Sequence, residues 1–174
     1  MSAPRKGGCL QTRSGVAYYP LDPRWFEVQI ADIAHSLSNI CRFNGHCNEF
    51  YSVAEHSVLV SQCVLPEHQL AALLHDATEA YCCDVPTPLK RDLVGYAEIE
   101  SANWAAIAKR FSLNPVLHES IVAADRSVLL AEKAAIVDTH FDWQIPGNAA
   151  SVDIQCLTPR RARDFFMQRF EELT

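Results

Sequence analysis

The stretch best suited to chemistry is Leu73-Leu74-His75-Asp76-Ala77-Thr78-Glu79, where three ionisable side chains lie among residues typical of a protein core. Apolar residues recur around it at helical spacing, which predicts one helix over residues 70–81. On that helix His75, Asp76 and Glu79 share one face. A solvated polar face is the ordinary explanation of such a group. Here alanines continue the face toward the N-terminus, so we expect the helix to be covered on both sides.

Ionisable groups on a covered face need partners, because an unpaired buried charge is costly or becomes neutralised. A divalent cation is one partner that satisfies both His75 and Asp76. The sequence therefore predicts a metal site, and the other ligands must come from elements that pack against this helix.

A second imidazole is predicted one helix earlier. Ser52 and Glu55 form a capping box, in which each side chain binds a backbone N–H group, so a helix should begin at Val53. His56 falls inside the apolar stripe of that helix. An inward histidine alone is more often a satisfied core residue than a ligand. The break at Leu65-Pro66, however, makes the two helices neighbours joined by a short connection.

Two acids lie in the apolar seam of a later helix, predicted to begin at an Asn114-Pro115 cap and to run through Val137. A carboxylate in such a seam is rare unless it is paired or bound to a metal. Asp125 is the candidate fourth ligand. Glu132 is predicted to form a salt bridge or hydrogen bond instead, because it lies two helical turns further along.

The predicted ligand set combines two imidazoles and two carboxylates from three helices, namely His56, His75, Asp76 and Asp125. Such a set suits zinc, manganese, iron(II), cobalt or nickel better than magnesium or calcium. The residue types do not distinguish among these five metals.

The composition predicts a single globular domain, since the 174 residues are 49% hydrophobic and 21% charged. The net charge of -6 argues against a general nucleic-acid binder. No run reaches the roughly 18 apolar residues of a membrane span, and the first residues lack the apolar core of a signal peptide. Seven cysteines without framework spacing are typical of free thiols in a reducing compartment. We therefore expect a cytoplasmic protein that acts on a small molecule.

The rest of the chain is predicted to be almost entirely helical. Residues 1–28 predict a short β-hairpin, with one strand over 15–19. Helices are predicted over 30–41 and 94–111, the second with a structural role only. Thr158-Pro159 should begin a last helix through Leu173.

Two connecting segments could carry polar groups to the metal site. Arg42-Phe43-Asn44-Gly45-His46 is predicted to be a loop that turns at its glycine. Residues 82–90 should be irregular, because two prolines within three residues remove backbone donors. Asp84, Thr87 and Lys90 in that segment could bind hydroxyl or phosphate groups, or could equally be ordinary turn residues.

The order of these residues resembles the HD-domain phosphohydrolase superfamily over residues 30–138: a histidine, an adjacent His-Asp pair and a distant aspartate on a later helix. The resemblance is closer to the small 5′-deoxyribonucleotidases of that superfamily, especially their prophage-type members. It is carried by Arg42-Phe43, Ala54-Glu55-His56-Ser57, His75-Asp76-Ala77-Thr78-Glu79-Ala80 and Asp84-Val85-Pro86-Thr87-Pro88-Leu89-Lys90.

The resemblance implies an all-α HD-domain bundle, with the short N-terminal hairpin added, that removes the 5′-phosphate from deoxyribonucleoside monophosphates. In that family the positions of the four predicted ligands hold the metal. Glu79 matches the position that serves proton transfer, Arg42 the one that contacts phosphate, and Asp84 the one that contacts the sugar. Phe43 stands where better-known members carry tryptophan, and His46 ends the Asn-Ile-Cys-Arg-Phe-x-Gly-His run of the prophage-type members, residues 39–46 here, so both are grouped with the substrate-binding residues. The resemblance alone also implies a homodimer.

Two other functions are compatible with the same residues. A phage-type deoxynucleoside triphosphate triphosphohydrolase has the same ligand set, but would be favoured by more basic residues near the pocket than Arg42, Lys90 and Arg91. A non-catalytic HD regulator would bind a nucleotide or a partner helix, and it would not need a proton donor at Glu79.

Overall fold

The computed structural model describes residues 4–174, so the first three residues of the predicted N-terminal segment lie outside it. The described chain is mostly helical with one short two-stranded antiparallel sheet, as predicted. No helix within this range is both long and apolar enough to cross a membrane. The strands are β1 (Leu10–Gln11) and β2 (Ala17–Tyr18), and the helices are α1 (Ile30–Asn39), α2 (Val53–Gln62), α3 (Gln69–Leu73), α4 (Glu79–Cys82), α5 (Thr87–Lys90), α6 (Tyr96–Arg110), α7 (Glu119–Ile136) and α8 (Pro159–Leu173).

The hairpin is tied to the helices by one buried carboxylate and one aromatic stack. Strands β1 and β2 pair with Leu10 opposite Tyr18. Asp32 of α1 accepts hydrogen bonds from the backbone N–H of Ser14 at 2.7 Å and from its hydroxyl at 2.6 Å. Tyr18 is fully buried, and its ring stacks on that of Tyr81 with 3.8 Å between centroids. The hairpin therefore packs on α1 and α4.

Helix α2 is the centre of the bundle. Nine of its ten residues are buried, and it packs against α1, α3, α7 and α8. A helix covered on all sides carries its polar side chains into the core, where each needs a partner. Glu55 and His56 of α2 are the two ionisable groups placed there.

Glu55 has a structural role, but not the predicted one. The hydroxyl of Ser52 accepts from the backbone N–H of Glu55 at 3.2 Å, so the predicted helix start is confirmed. The Glu55 carboxylate does not complete the capping box. It accepts from the backbone N–H groups of Gln155 at 2.8 Å and Leu157 at 2.7 Å, and so anchors the segment before α8. Burial raises the pKa of Glu55, although these amide hydrogen bonds act in the opposite direction.

We expect Glu55→Ala to lower the free energy of unfolding by about 3 kcal/mol, because one buried and one partly buried N–H group lose a charged acceptor. Urea denaturation of this variant and of Glu171→Ala, which removes an exposed acid from α8, would measure the difference. Equal stability of the two variants would contradict the anchoring role.

The long helix α7 begins later than predicted. Asn114-Pro115 does not cap it, because the Asn114 carboxamide oxygen accepts from the backbone N–H of Val116 at 2.9 Å and closes a local turn. His118 caps α7 instead, with its Nδ1 accepting from the backbone N–H of Ser120 at 3.2 Å.

Other boundaries agree more closely with the sequence-based expectation. Helices α1 and α8 occupy the predicted ranges within two residues, and α6 is shorter than predicted by two residues at its start and one at its end. The segment 82–90 is not irregular throughout, since Thr87–Lys90 forms one turn of helix. Pro88 is tolerated in that first turn because its missing N–H group would have no helical acceptor.

Candidate metal centre and adjacent cleft

The four predicted metal ligands meet at one point of the bundle. His56 comes from α2, His75 and Asp76 from the turns after α3, and Asp125 from α7. Nε2 of His56 lies 3.1 Å from Oδ1 of Asp125 and 3.6 Å from Oδ2 of Asp76. Nε2 of His75 lies 3.3 Å and 4.0 Å from the same two carboxylate atoms, Oδ2 of Asp76 and Oδ1 of Asp125. Donor atoms of His56, His75 and Asp125 all lie within 4.8 Å of one another and could hold a metal ion.

The predicted continuous helix over 70–81 is wrong, and its interruption places His75. Helix α3 ends at Leu73 and α4 begins at Glu79. The side-chain Nδ1 of His75 contacts the Ala72 carbonyl oxygen at 2.8 Å, which in a continuous helix would accept from the backbone of Asp76. A side chain thus replaces a backbone donor, and tight turns follow, such as that closed by the Glu79 N–H and the Asp76 carbonyl at 3.0 Å.

Both imidazoles are oriented by the nitrogen that faces away from the cluster. Carbonyl and carboxylate oxygens only accept hydrogen bonds, so Nδ1 of His75 donates to Ala72, and Nδ1 of His56 donates to Oε1 of Glu132 at 2.6 Å. The Nε2 atoms then present lone pairs to the centre. Among the described residues neither buried Nε2 has a hydrogen-bond partner, since the contact to Asp125 lacks the required geometry.

Two imidazole lone pairs that face two carboxylates require a positive charge between them. The shifted pKa values of His56 and Asp125 indicate the same need for positive charge at this place. Burial and Arg42 lower the pKa of His56, but the charge of Glu132, the hydrogen bond to Glu132 and the nearby Asp125 carboxylate raise it to about 9. Burial raises the pKa of Asp125, yet the two histidines bring it well below its usual range. The donor set therefore fits a divalent cation, whose ligands would be neutral imidazoles and ionised carboxylates.

Glu132 supports the cluster through His56, whose ring it contacts on the side that faces away from the candidate metal site. It is fully buried and accepts from Nη2 of Arg42 at 3.0 Å, from the Tyr51 hydroxyl at 2.9 Å and from Nδ1 of His56. Burial raises its pKa, but His56 and Arg42 lower it to about 2, so the carboxylate stays ionised. The predicted salt-bridged role of Glu132 is confirmed. Its second role, fixing the His56 ring, was not predicted.

We expect Glu132→Gln to weaken binding of Mn²⁺ or Zn²⁺ by roughly 10–100-fold, the usual effect of losing the carboxylate partner of a ligating histidine. Calorimetric titration of the metal-free variants would measure this. Tyr51→Phe is the matched control, because it removes one donor to Glu132 and leaves the His56 contact in place. Unchanged affinity in Glu132→Gln would contradict the orienting role.

Arg42 reaches the cluster from an unusual loop. Its guanidinium lies between Glu132 and Asp76, with 3.7 Å from Nη1 to Oδ2 of Asp76, and its side chain is only 11% exposed. Phe43, Asn44 and Gly45 follow in left-handed conformations, with φ of 56°, 51° and 78°. The predicted turn at this loop is therefore confirmed, and it involves two residues besides the glycine.

Glu79, the first residue of α4, is an acidic residue beside the cluster in addition to Glu132. It is 8% exposed, and its Oε2 has no hydrogen-bond partner among the described residues. Burial raises the pKa of Glu79 well above its usual range, and the charges of Asp76 and Asp84 act in the same direction. This carboxyl group therefore retains a proton to higher pH than an ordinary glutamate.

A cleft of about 350 Å³ adjoins the carboxylate side of the centre. His75, Asp76 and Asp125 border it, and Asp125 is 41% exposed there whereas His56 is fully buried. The facing wall comes from α6 and the residues around the start of α7. Its side chains include Glu100, Ser101, Trp104, Leu117, Ile121 and Val122. Helix α6, for which the sequence predicts a structural role only, therefore also lines this cleft.

Among the described residues that line the cleft, Lys90 is the one predicted substrate-binding residue. It pairs with Glu100 at 2.6 Å, and Asp84 is half-buried. Burial raises the pKa of Asp84, and the charge of Arg42 acts in the opposite direction. Thr87 and His46 are exposed, and neither is among the described residues that line the cleft. Phe43 packs beside Arg42, with 5.5 Å from the guanidinium carbon to the ring centroid.

Comparison with known proteins shows two relatives. No family model matches the chain. It is 40% identical over 169 residues to the uncharacterized protein YfdR of Escherichia coli. That match covers 95% of each of the two chains. It is also 40% identical over 114 residues to an uncharacterized protein of Rhodobacter capsulatus, covering 60% of this chain and 58% of the relative. The extent of the first match means that the chain belongs to the same protein family as YfdR.

Proposed function

We propose that this protein is a metal-dependent phosphohydrolase of the HD-domain type, which removes the 5′-phosphate from deoxyribonucleoside monophosphates. One observation carries the proposal. Within the described chain, two buried imidazole nitrogens without a hydrogen-bond partner face two carboxylates beside an arginine and an acid of raised pKa, at the edge of a cleft of suitable size for a small ligand. This combination of groups can support hydrolysis of a phosphate ester.

His56, His75, Asp76 and Asp125 would hold a divalent transition metal, whose chemistry at this place is polarisation of a phosphoryl oxygen and activation of water. The protein supplies the rest. Glu132 and the Ala72 carbonyl fix the two imidazole rings, so that the ligand atoms are placed before any cation arrives.

Arg42 would bind the phosphoryl oxygens. Its planar guanidinium offers several N–H donors, and one edge is held by Glu132, which fixes the direction of the others. A lysine at this position would act as a point charge without that orientation. The charge of Arg42 also offsets part of the repulsion between the substrate phosphate and the nearby carboxylates.

Glu79 would give a proton to the leaving 5′-oxygen. A raised pKa lets this carboxyl group keep its proton to higher pH, as a general acid requires. Its Oε2 has no competing partner within the described chain, so the group is free to turn toward a substrate.

A panel of nucleotides tests this function. We expect inorganic phosphate from deoxyribonucleoside 5′-monophosphates in the presence of Mn²⁺, Co²⁺, Ni²⁺ or Zn²⁺. Release of triphosphate from deoxynucleoside triphosphates would instead show the phage-type activity. Tight nucleotide binding without any turnover would show a regulator. Assays that separate phosphate from triphosphate distinguish the three.

We expect dAMP to be hydrolysed faster than AMP by roughly 10–200-fold, the range of discrimination that one pocket contact provides. Asp84 is the proposed sugar contact because its position matches the one that contacts the sugar in the small 5′-deoxyribonucleotidases; it is half-buried, and the charge of Arg42 acts on it. The ratio of kcat/KM for the two substrates should fall in Asp84→Asn. Equal rates on AMP and dAMP with the unaltered protein would remove the proposed deoxyribose preference.

A further inference from the structure

Two thiols flank the loop that carries Arg42. The Sγ atoms of Cys41 and Cys47 lie 3.6 Å apart, and all seven cysteines are free. Within the described chain no other pair of thiols is in such contact. Both residues are partly exposed, so a small reagent can reach them. We call residues 42–46, between these two cysteines, the arginine loop.

The contact between the thiols is imposed by the backbone on both sides. Cys41 is paired with Ser52 in an isolated antiparallel bridge, and the N–H of Arg42 donates to the Tyr51 carbonyl at 2.9 Å. On the other side, the N–H of Asn48 donates to the Ile136 carbonyl at 2.8 Å, which fixes the residue after Cys47. The two ends of the arginine loop are thus anchored to separate elements, which hold the thiols together.

The loop between these anchors is strained. Phe43 and Asn44 are non-glycine residues in the left-handed region, at φ of 56° and 51°. Such a backbone persists only where the surroundings impose it. A covalent link between the loop ends would restrict the alternatives and so favour the conformation that places Arg42 between Glu132 and Asp76.

We propose that Cys41 and Cys47 form a reversible disulfide that locks the arginine loop. The disulfide needs an S–S distance of about 2.0 Å, so the two Sγ atoms must approach by roughly 1.5 Å, which side-chain rotation can provide. This pairing is a modification site of the protein itself. It does not depend on the proposed hydrolase function, because neither its formation nor its effect on the loop requires a substrate.

A small disulfide such as oxidised glutathione is the oxidant. The thiolate of one cysteine attacks it, which forms a mixed disulfide and expels one glutathione thiolate. The thiolate of the second cysteine then attacks the protein sulfur of that mixed disulfide and expels the second glutathione. The two protein thiols lose two electrons and two protons, and the oxidant gains them as two glutathione thiols.

Thiol mapping after equilibration in glutathione redox buffers tests the pairing. We expect proteolysis and mass spectrometry of the iodoacetamide-blocked protein to show a Cys41–Cys47 link that dithiothreitol removes, while exposed Cys9 and Cys63 are blocked or carry glutathione. Cys41→Ser should abolish the link, and the matched variant Cys63→Ser should keep it. Glutathione on Cys41 or Cys47 singly at every buffer ratio, or a Cys82–Cys83 link in place of this one, would overturn the proposal.

Amide hydrogen exchange tests the locking effect on the same samples. Amides of residues 43–46 should exchange more slowly after oxidation, and the melting temperature should rise, in the unaltered protein but not in Cys41→Ser. A disulfide that forms without slowing exchange in these residues would show that the loop is not locked and would overturn that part of the proposal.

Discussion

His75→Ala and Asp76→Ala are each expected to abolish bound metal and turnover together. Each change removes a donor atom next to the buried Nε2 of His56, at 3.6 Å in the case of Asp76. Loss of an orienting partner alone weakens metal binding by about 10–100-fold, so loss of a ligand should exceed that range. Elemental analysis and a phosphate-release assay on the same purified samples would measure both quantities.

The control for these variants is His140→Ala, which removes an exposed imidazole that is not part of the cluster. It should retain the metal content and activity of the unaltered protein. Melting curves would show that the site variants remain folded, because His75 and Asp76 contribute little apolar surface. Full metal content and full activity in His75→Ala or Asp76→Ala would contradict the assignment of the site.

Glu79→Gln is expected to lower kcat by roughly 10²–10⁴-fold, the usual cost of losing a general acid or base, while the metal stays bound. Glutamine keeps the shape of the side chain but has no acidic proton. KM should change little, because the group is not proposed to hold the substrate. Metal analysis, a melting curve and turnover measured on one preparation separate a proton-transfer role from a structural one.

The pH dependence gives an independent test of the same residue. A general acid acts in its protonated form, and burial raises the pKa of Glu79. The value of kcat should therefore fall as the pH rises through that pKa, and this limb should be absent in Glu79→Gln. The matched control is Glu98→Gln, which alters an exposed acid of α6 and should preserve the profile. Near-normal turnover of Glu79→Gln would exclude the catalytic role, and loss of metal would make Glu79 a ligand.

The cluster of candidate ligands could be predicted because it depends on local pattern. A charged side chain in an apolar seam stands out at helical spacing, and His56, Asp125 and Glu132 were recognised in this way. The structure brings His56 and Asp125 to within 3.1 Å and buries Glu132 completely. Periodicity identified which face each side chain occupies, and the short connection between helices indicated which faces meet.

The details that sequence patterns missed are set by competition between side chains and backbone. Nothing local distinguishes an Asn114 that caps a helix from one that closes a turn, or shows that His75 will bind the Ala72 carbonyl and interrupt its helix. Glu55 found its partners about a hundred residues away, at Gln155 and Leu157. Contacts of that range depend on how the whole bundle packs.

The cleft was missed for a related reason. Its far wall includes Trp104 and Ser101 of α6, a helix for which the sequence predicts a structural role only. The buried polar residue of that helix, Asn103, accepts from the Tyr18 hydroxyl at 2.7 Å. A helix face that lines a cleft has no distinctive hydrophobic period in the sequence. Its role can therefore be recognised only in the folded structure.

The most direct test of the proposed hydrolase is a metal titration followed by activity on the same sample. The protein is stripped with a chelator, and Mn²⁺ or Co²⁺ is added back in steps while phosphate release from dAMP is measured. We predict no release from the stripped protein and a rise in rate that saturates when each chain has bound one metal ion. Phosphate release that survives stripping, or metal binding at this site without release of phosphate from any deoxyribonucleotide, would contradict the proposed function.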